Sequence, residues 1–549
     1  MLRPARTLLV LHGHLPWVHM PAHPEFLEED WLFEAVSGTY LPLLSVFQRL
    51  ADDAIPTPCV VGLTPPLLEM LRAPSLRRKI GEHLTTRLKL ASLEVRRLKG
   101  SVPEAAAARH YLERAEECRE IWRSADGDLP ALFAAHVREG RIAAMASAAT
   151  HAVLPLVATA AARRRQVALG CRLFEEVFGA APQGFWLPEC AFEPGLDRLL
   201  AEHGIQWTVL ETHAIADAWP PVPHDHRRPL ELPAGVIAFA RDPEASRQVW
   251  AHEVGYPGDP EYRELYRDLG YDGPWAYVRR FLKRDGVRRN LGFKYHRVTG
   301  KVPLHEKAPW NVEHARARTV EHARHFLTRR GEDATGIDGA VLTAPFDMEL
   351  YGHWWYEGPW FLEELFRQSA AGVGAAPFAL PATLITEARP FAVADPPLCT
   401  WGEDGYLKVW LNDANAWVLR QQQELEVQVA RALDQAHAET PAAQKDQLVR
   451  ELLLLQSSDW AFIITKGTSD HYARQRVCTH VARILGLIEG MAQPGLENSE
   501  WFRELAREDA LFPGLRATSD GSVALSAARL GTAAGATGEE TATPQASTP

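Results

Sequence analysis

Apolar residues along this chain fall into two textures. Short continuous runs at residues 7–11, 59–63, 184–187, 207–210, 236–240 and 339–343 lack the alternation of a half-exposed strand. They predict strands buried on both faces, as in a parallel sheet. Between them lie longer stretches with helical spacing, notably 66–99 and 104–149, the second rich in Ala, Glu and Arg. Strand, long helix, strand, repeated in this way, predicts an α/β barrel or a doubly wound sheet. Residues 242–320 are rich in charge, Gly, Pro and Tyr without a clear period, which predicts long loops and short helices laid over the mouth of a barrel spanning 1–380. Past about residue 381 the texture changes. Residues 421–439, 447–455 and 470–491 are helical runs, with Leu448, Leu452 and Leu455 recurring at helical spacing. They predict a C-terminal helical domain over 381–516. Residues 517–549 are mostly Ala, Thr, Gly, Ser and Pro with no aromatic, a composition that buries too little apolar surface to fold.

Composition narrows the choice of function. The 549 residues exceed what one compact core accommodates. Lys and Arg total 59 against 70 Asp and Glu, a formal charge of −11. Such a surface repels phosphate backbones and anionic lipid, so neither nucleic acid nor membrane is an expected partner. No apolar run approaches the roughly 20 residues that span a bilayer. The apolar run near the N-terminus is cut off by His12 and His14, so it reads as a first strand rather than a secretory leader. Six cysteines lie far apart with no C-x-x-C pair, fitting neither a zinc knuckle nor a disulfide framework, and a reducing cytoplasm is the expected setting. The unusual counts are 17 Trp and 22 His. Core packing accounts for most of the Trp, and a cleft that stacks aromatic faces on sugar rings accounts for the rest.

Four segments carry chemistry. In Leu11-His12-Gly13-His14-Leu15-Pro16-Trp17 the alternation of a strand points His12 and His14 the same way, at the strand end where barrel active sites lie. They could donate hydrogen bonds to a polyhydroxy substrate or bind a metal. In Gly184-Phe185-Trp186-Leu187-Pro188-Glu189-Cys190 the proline stops a strand and presents Glu189, with Glu193 as the local competitor. Asp347 stands in the same relation to Pro345, among Phe346, Trp354 and Trp355, with Glu349 two residues on. An apolar wall raises a carboxyl pKa, as a general acid working near neutral pH requires. Ser457-Ser458-Asp459-Trp460, at a helix end in the C-terminal region, could reach into a cleft from the side. Two carboxylates on two strand ends, with Trp around them and His beside them, suit glycoside chemistry, which needs one carboxyl as acid and another as nucleophile or base.

Several ordered motifs across about residues 7–510 resemble the 1,4-α-glucan branching enzymes of glycoside hydrolase family 57. They are H-x-H-L-P at 12–16, Pro24-Glu25-Phe26-Leu27-Glu28-Glu29 with Trp31, Thr150-His151-Ala152-Val153-Leu154-Pro155, F-W-L-P-E at 185–189, Gly255-Tyr256-Pro257-Gly258-Asp259, the Asp347 segment, and Ser458-Asp459-Trp460-Ala461-Phe462. The resemblance implies a distorted (β/α)7 barrel with an inserted helical segment and a C-terminal all-α domain closing one side of the cleft. It implies Glu189 as nucleophile, Asp347 as general acid/base, and His12, His14 and His151 around the donor sugar. Arg241, Trp250, Gly258, Trp401, Trp410 and Asp459 are implied contacts with the glucan, and neither cofactor nor metal is expected.

One departure from the family pattern bears on the reaction. Branching members carry a Tyr-bearing loop over the cleft, whereas no Tyr occurs here between Glu189 and Tyr256, and the stretch 214–234 is short. His224, His226 or Trp219 are the candidates to replace it. The same two carboxyls would serve an α-amylase-like hydrolase if water reached the intermediate. Two readings of other classes are a metal-dependent polysaccharide deacetylase built on His12 and His14, and a non-catalytic glucan-binding protein.

Overall fold

Arg6–Gly13 form β1, buried along nearly its whole length at the heart of a nine-stranded sheet. The computed structural model describes residues 3–100, 102–251, 254–389, 391–436, 440–491, 495–517 and 523–525. The other strands of the sheet are β2 (Cys59–Leu63), β3 (Ala143–Ser147), β4 (Gly184–Trp186), β5 (Trp207–Leu210), β6 (Leu230–Glu231), β7 (Ile237–Ala240), β8 (Val341–Asp347) and β9 (Ala392–Val393). Their order is β8-β1-β2-β3-β4-β5-β7-β6-β9, parallel throughout except between β6 and β7. Arg241, just past β7, bridges Thr343 in β8, and the Asp242 N–H donates to the Thr343 carbonyl at 2.7 Å. That contact brings seven parallel strands round on themselves, the distorted (β/α)7 barrel that was expected, with β6 and β9 as an extension of its sheet.

Strand alternation sorts the side chains of β1. Leu9 and Leu11 join the packing of the surrounding helices, while Leu8 and Val10 cluster with Val60, Met145, Trp186 and Phe239 inside the barrel. His12 follows Leu8 and Val10 in phase and so emerges at the C-terminal mouth. Gly62, its partner in β2, leaves it room: a Cβ there would lie 2.8 Å from the Met145 side chain and 3.4 Å from His12 Nδ1.

Several boundaries differ from expectation, each for a packing reason. The stretch 104–149 is not one helical unit: helices Val102–Ser124 and Leu129–Arg138 are followed by β3. Ala-Ala-Met-Ala-Ser has helical propensity, yet it is threaded between β2 and β4, and tertiary burial overrides the local preference. Small residues are needed there because the helix Ala160–Phe178 crosses closely, so that a Cβ at Gly170 would sit 1.8 Å from the Ser147 carbonyl oxygen. The stretch 66–99 divides into Pro65–Arg72 and Pro74–Arg97, with extended backbone at Ala73. Residues just past 381 do not open the helical region, since Leu384 and Ala388 pack in the barrel cluster and β9 extends the sheet. Within the stretch expected to be disordered, Val523–Leu525 pair antiparallel with Leu515–Ala517; residues 518–522 and 526–549 lie outside the described part of the chain. Residues 242–311 contain short helices and loops, and a long helix, Val312–Asp333, begins inside the stretch read as loops.

The C-terminal helices are Ala416–Asp434, Ala442–Leu455, Ser458–Lys466, Asp470–Gly490 and Glu500–Glu508. They are fastened to the barrel next to β3. Thr150 Oγ1 donates to the Leu453 carbonyl at 2.5 Å, Gln166 Nε2 donates to Gln456 at 3.0 Å, and Ala158 and Thr159 give their N–H groups to Glu426. This docking carries the start of the helix Ser458–Lys466 to the barrel mouth. No described helix is long and apolar enough to cross a membrane.

Candidate active site

The end of β1 supplies two histidines with different surroundings. His12 Nε2 lies 2.9 Å from His151 Nε2, and His151 Nδ1 lies 2.8 Å from Ser458 Oγ. Burial lowers both rings well below the usual histidine range, His14 adding to the effect, so both are neutral. The Ser458 hydroxyl donates to Glu189 Oε1 at 2.9 Å. One tautomer set makes every contact in the row, with His12 donating to His151, His151 to Ser458 and Ser458 to Glu189, and leaves His12 Nδ1 buried without a partner. His14 is the opposite case. Its Nε2 lies 2.9 Å from Asp459 Oδ2 and its Nδ1 2.9 Å from Thr64 Oγ1. Burial works against its charge, but Asp459 outweighs it and raises the ring above its ordinary value, while His14 holds Asp459 below the usual carboxylate range despite burial. The His14–Asp459 pair thus joins the barrel to the helix Ser458–Lys466.

Glu189 follows β4 and the stop at Pro188. Its backbone is left-handed (φ 65°), as is that of Cys190 (φ 51°), a costly state for residues with a Cβ. Trp401 closes the turn by donating its N–H to the Glu189 carbonyl at 3.0 Å, and its indole Nε1 donates to Glu189 Oε2 at 2.9 Å. With Ser458 on the other oxygen, each carboxylate oxygen has a donor. Burial raises the Glu189 pKa, and the two donors and the His14 charge pull against it. Glu193, the competitor, pairs with Arg163 at 2.5 Å and is not in the cleft wall.

Asp347 closes β8 in register with His12. Burial, then the charges of Glu349 and Glu189, push its carboxyl well above the usual range, with His14 opposing. No described donor holds its ionised form. Glu349 is differently placed: the chain turns into a short 3-10 helix at Met348–Leu350, and Glu349 accepts from the Tyr40 hydroxyl and from the His14 N–H at 3.1 Å. Burial raises Glu349 to about 7. Tyr40 ends a π-helical turn, Val36–Tyr40, a wide turn of the kind that re-aims side chains at functional sites.

These groups open into one cleft of about 1310 Å³, room for several sugar units. His12, His14, His151, Glu189, Asp347 and Asp459 all line it, as do Arg241, Trp250, Trp401 and Trp410. Arg241 is paired with Glu211 at 3.1 Å, and Trp410 is 97% buried under Gly402, so it forms wall rather than platform. Gly258 is a departure from expectation. It does not line the cleft but lies in the turn Tyr256–Gly258, anchored by Tyr256 Oη to His325 at 2.8 Å. Trp219, His224 and His226 are not in the cleft wall either; Trp219 pairs through its backbone with Asp395 beside the sheet extension. Four exposed aromatics that were not among the expected glucan contacts do line it: Trp354 and Phe462, which lie in the quoted motifs, and Tyr266 and Tyr271, which sequence reasoning passed over. A metal on His12 and His14 is disfavoured, because both nitrogens of His14 are engaged. Among the described residues the trio close enough to share an ion is Glu451, His480 and Asp509. It lies outside the cleft and is neutralised by Arg476 and Arg483.

A parallel barrel with two carboxyls of contrasting environment at its mouth is the layout of a glycoside-processing enzyme. The chain belongs to glycoside hydrolase family 57: the profile described as Glycosyl hydrolase family 57 matches residues 8–390, and one described as 1,4-alpha-glucan branching enzyme, C-terminal, matches residues 419–519. It is 30% identical over 512 residues to the 1,4-alpha-glucan branching enzyme TK1436 of Thermococcus kodakarensis, covering 86% of this chain and 71% of that one. Among solved structures it is similar to the alpha-amylase AmyC from Thermotoga maritima (35% identity, TM-score 0.85, 93% of this chain and 98% of that one). It is also similar to the GH57-type branching enzyme from Pyrococcus horikoshii (28% identity, TM-score 0.81, 93% and 95%).

Proposed function

We propose that the protein is a retaining 1,4-α-glucan branching enzyme that cleaves an α-1,4 chain and transfers it to a 6-hydroxyl, making a glycogen-type polymer. The observation that carries the reading is the contrast between Glu189, with a donor on each oxygen, and Asp347, half-buried among like charges without one. The two donors favour the ionised form of the first, and the like charges favour the protonated form of the second. Glu189 attacks the anomeric carbon while Asp347 protonates the departing oxygen, leaving a glycosyl ester on Glu189. Asp347, now ionised, takes the proton of an incoming 6-hydroxyl as that oxygen displaces Glu189. His12, His14, His151 and Asp459 line the donor sugar's subsite, and Trp250 with Arg241 contacts the chain. The six unpaired cysteines suit a reducing compartment such as the cytoplasm.

Water stands at ~55 M, so transfer requires the acceptor to be held at a far higher effective concentration, which oriented binding supplies. Hydrolysis is the second reading, favoured by the likeness to AmyC and by a segment 211–235 that brings no aromatic to the cleft. Linkage analysis of amylose incubated with the purified protein separates the two. Branching predicts α-1,6 linkages accumulating faster than reducing ends; reducing ends without new linkages would mean hydrolysis.

Glu349→Gln tests the electrostatics. Activity needs Glu189 ionised, which is lost as pH falls through its pKa. It needs Asp347 protonated, which is lost as pH rises through its raised pKa. Removing the Glu349 charge lets Asp347 ionise earlier, so the alkaline limb of the kcat/KM profile moves to lower pH while the acid limb stays nearly in place. An unmoved alkaline limb would show that Glu349 does not tune the acid.

A further inference from the structure

The cleft has a second polar group that the proposed chemistry leaves unused. Arg87, Arg114, Arg263 and Lys294 all line it. Arg114 and Arg263 both lie over the Tyr356 ring, 4.2 and 4.0 Å from its centre, and Arg87 lies 5.4 Å from that of Phe293. Among the described residues none of the three arginines forms an ion pair with a carboxylate, in a chain whose net charge is −11. Lys294 faces Asp268 at 3.5 Å and donates to the Leu265 carbonyl and to Asn290 Oδ1. The acids that face the group are Glu34, in the cleft wall, Glu357, which accepts the Arg263 backbone N–H at 2.8 Å, and Asp268 and Glu264 beside Lys294; burial raises Glu34 and Glu357 to about 7, so neither of those two is a full counter-charge to the arginines near neutrality.

The side chains are held by aromatic rings and carbonyls instead. Arg87 donates to the Leu291 carbonyl at 3.2 Å, and Arg114 to those of Gly38 at 2.6 Å and Tyr356 at 3.4 Å. Arg263 Nε is buried without a partner. The backbone makes way for two of them. A Cβ at Gly292 (φ 78°) would lie 2.3 Å from Arg87 Nη1, and one at Gly352 (φ 118°) would lie 2.0 Å from the Gly38 carbonyl oxygen that Arg114 binds and 3.3 Å from Arg114 Nη2. Gathering like charges in a half-buried wall is unfavourable unless something anionic offsets it, and the neutral hydroxyls of a glucan do not.

We propose that Arg87, Arg114 and Arg263, with Lys294, form a subsite for a phosphate monoester on a sugar. This rests on the reading of the cleft as a glucan site. A dianion with three acceptor oxygens matches several guanidinium forks better than a carboxylate does. The ester has two possible sources, a free hexose phosphate or a phosphorylated glucan chain.

Calorimetric titration of the intact protein, at matched ionic strength, reads the subsite without any glucan turnover. Glucose 6-phosphate binds saturably and glucose does not, and Arg87→Gln and Arg114→Gln each weaken binding about tenfold or more. Arg114→Lys, which keeps the charge and loses the fork, weakens it less and guards against a folding artefact. Initial rates on phosphorylated against neutral amylopectin then identify the source. A rate ratio that falls in Arg87→Gln supports a chain-borne ester, and an unchanged ratio with glucose 6-phosphate binding supports the free sugar phosphate. If glucose 6-phosphate does not bind and the ratio is unmoved, the proposal is overturned. If phosphate binds but wild-type protein makes no branches in neutral amylose, it is the branching assignment that fails.

Discussion

Glu189→Gln lowers turnover on amylose by about 10⁴-fold or more, as loss of a nucleophile does in other covalent mechanisms. The amide keeps the size of the side chain and its place between Ser458 and Trp401, so the loss is chemical. It should not be a folding defect, and the melting temperature should stay close to wild type. Glu189→Ala adds a stereochemical test. With the carboxylate gone, azide can enter the vacated space on the face opposite the leaving oxygen. A glycosyl fluoride, which needs no acid, then gives a glycosyl azide of inverted configuration. Retained configuration, or residual activity within tenfold of wild type, would remove Glu189 from the nucleophile's role.

Asp347→Asn is the second large effect, a loss of about 10²–10⁴-fold on amylose, the range that general acid–base catalysis contributes. Its signature is dependence on the leaving group. An aryl glycoside whose phenol departs without a proton forms the intermediate almost normally, so the deficit shrinks in that first step and persists for transfer to a sugar hydroxyl. The alkaline limb of the pH profile, which reports the loss of the Asp347 proton, disappears. A uniform loss on both substrates with the limb intact would move the acid to Glu349. Glu349 shares the cleft wall but is tied to Tyr40 and the His14 backbone.

Much of this site was legible because it is written at strand ends. Two histidines in alternation on β1, and a proline-stopped strand before Glu189, are local patterns, and local patterns survive in a sequence. What the sequence hid is what distant segments do to one another. Asp347 and Glu349 could not be ranked until the 3-10 turn at Met348–Leu350 broke the strand and sent Glu349 to Tyr40. Trp401 was implied only as a contact with the glucan, and its indole holds Glu189 Oε2. Ser458 read as part of a helix end, whereas it joins His151 to Glu189 across a domain contact. In the fold, β3 was lost inside an alanine-rich run because small side chains serve two purposes, helix propensity and close approach to Gly170, and only packing tells them apart. Arg114 and Arg263 over Tyr356, and Arg87 over Phe293, come from three separate stretches of chain, and no local pattern in any one of them shows that they meet in the cleft wall.

The central claim is that Glu189 carries the sugar in a covalent intermediate opposite Asp347, and trapping tests it most directly. A fluorinated glycosyl fluoride slows both steps but leaves the first with a good leaving group, so the ester accumulates on the intact enzyme. Proteolysis and mass spectrometry should then find the added sugar on the peptide bearing Glu189, and on none in Glu189→Gln. A label on Glu193, Asp347 or Glu349, or no adduct while the reagent is turned over, would contradict the account.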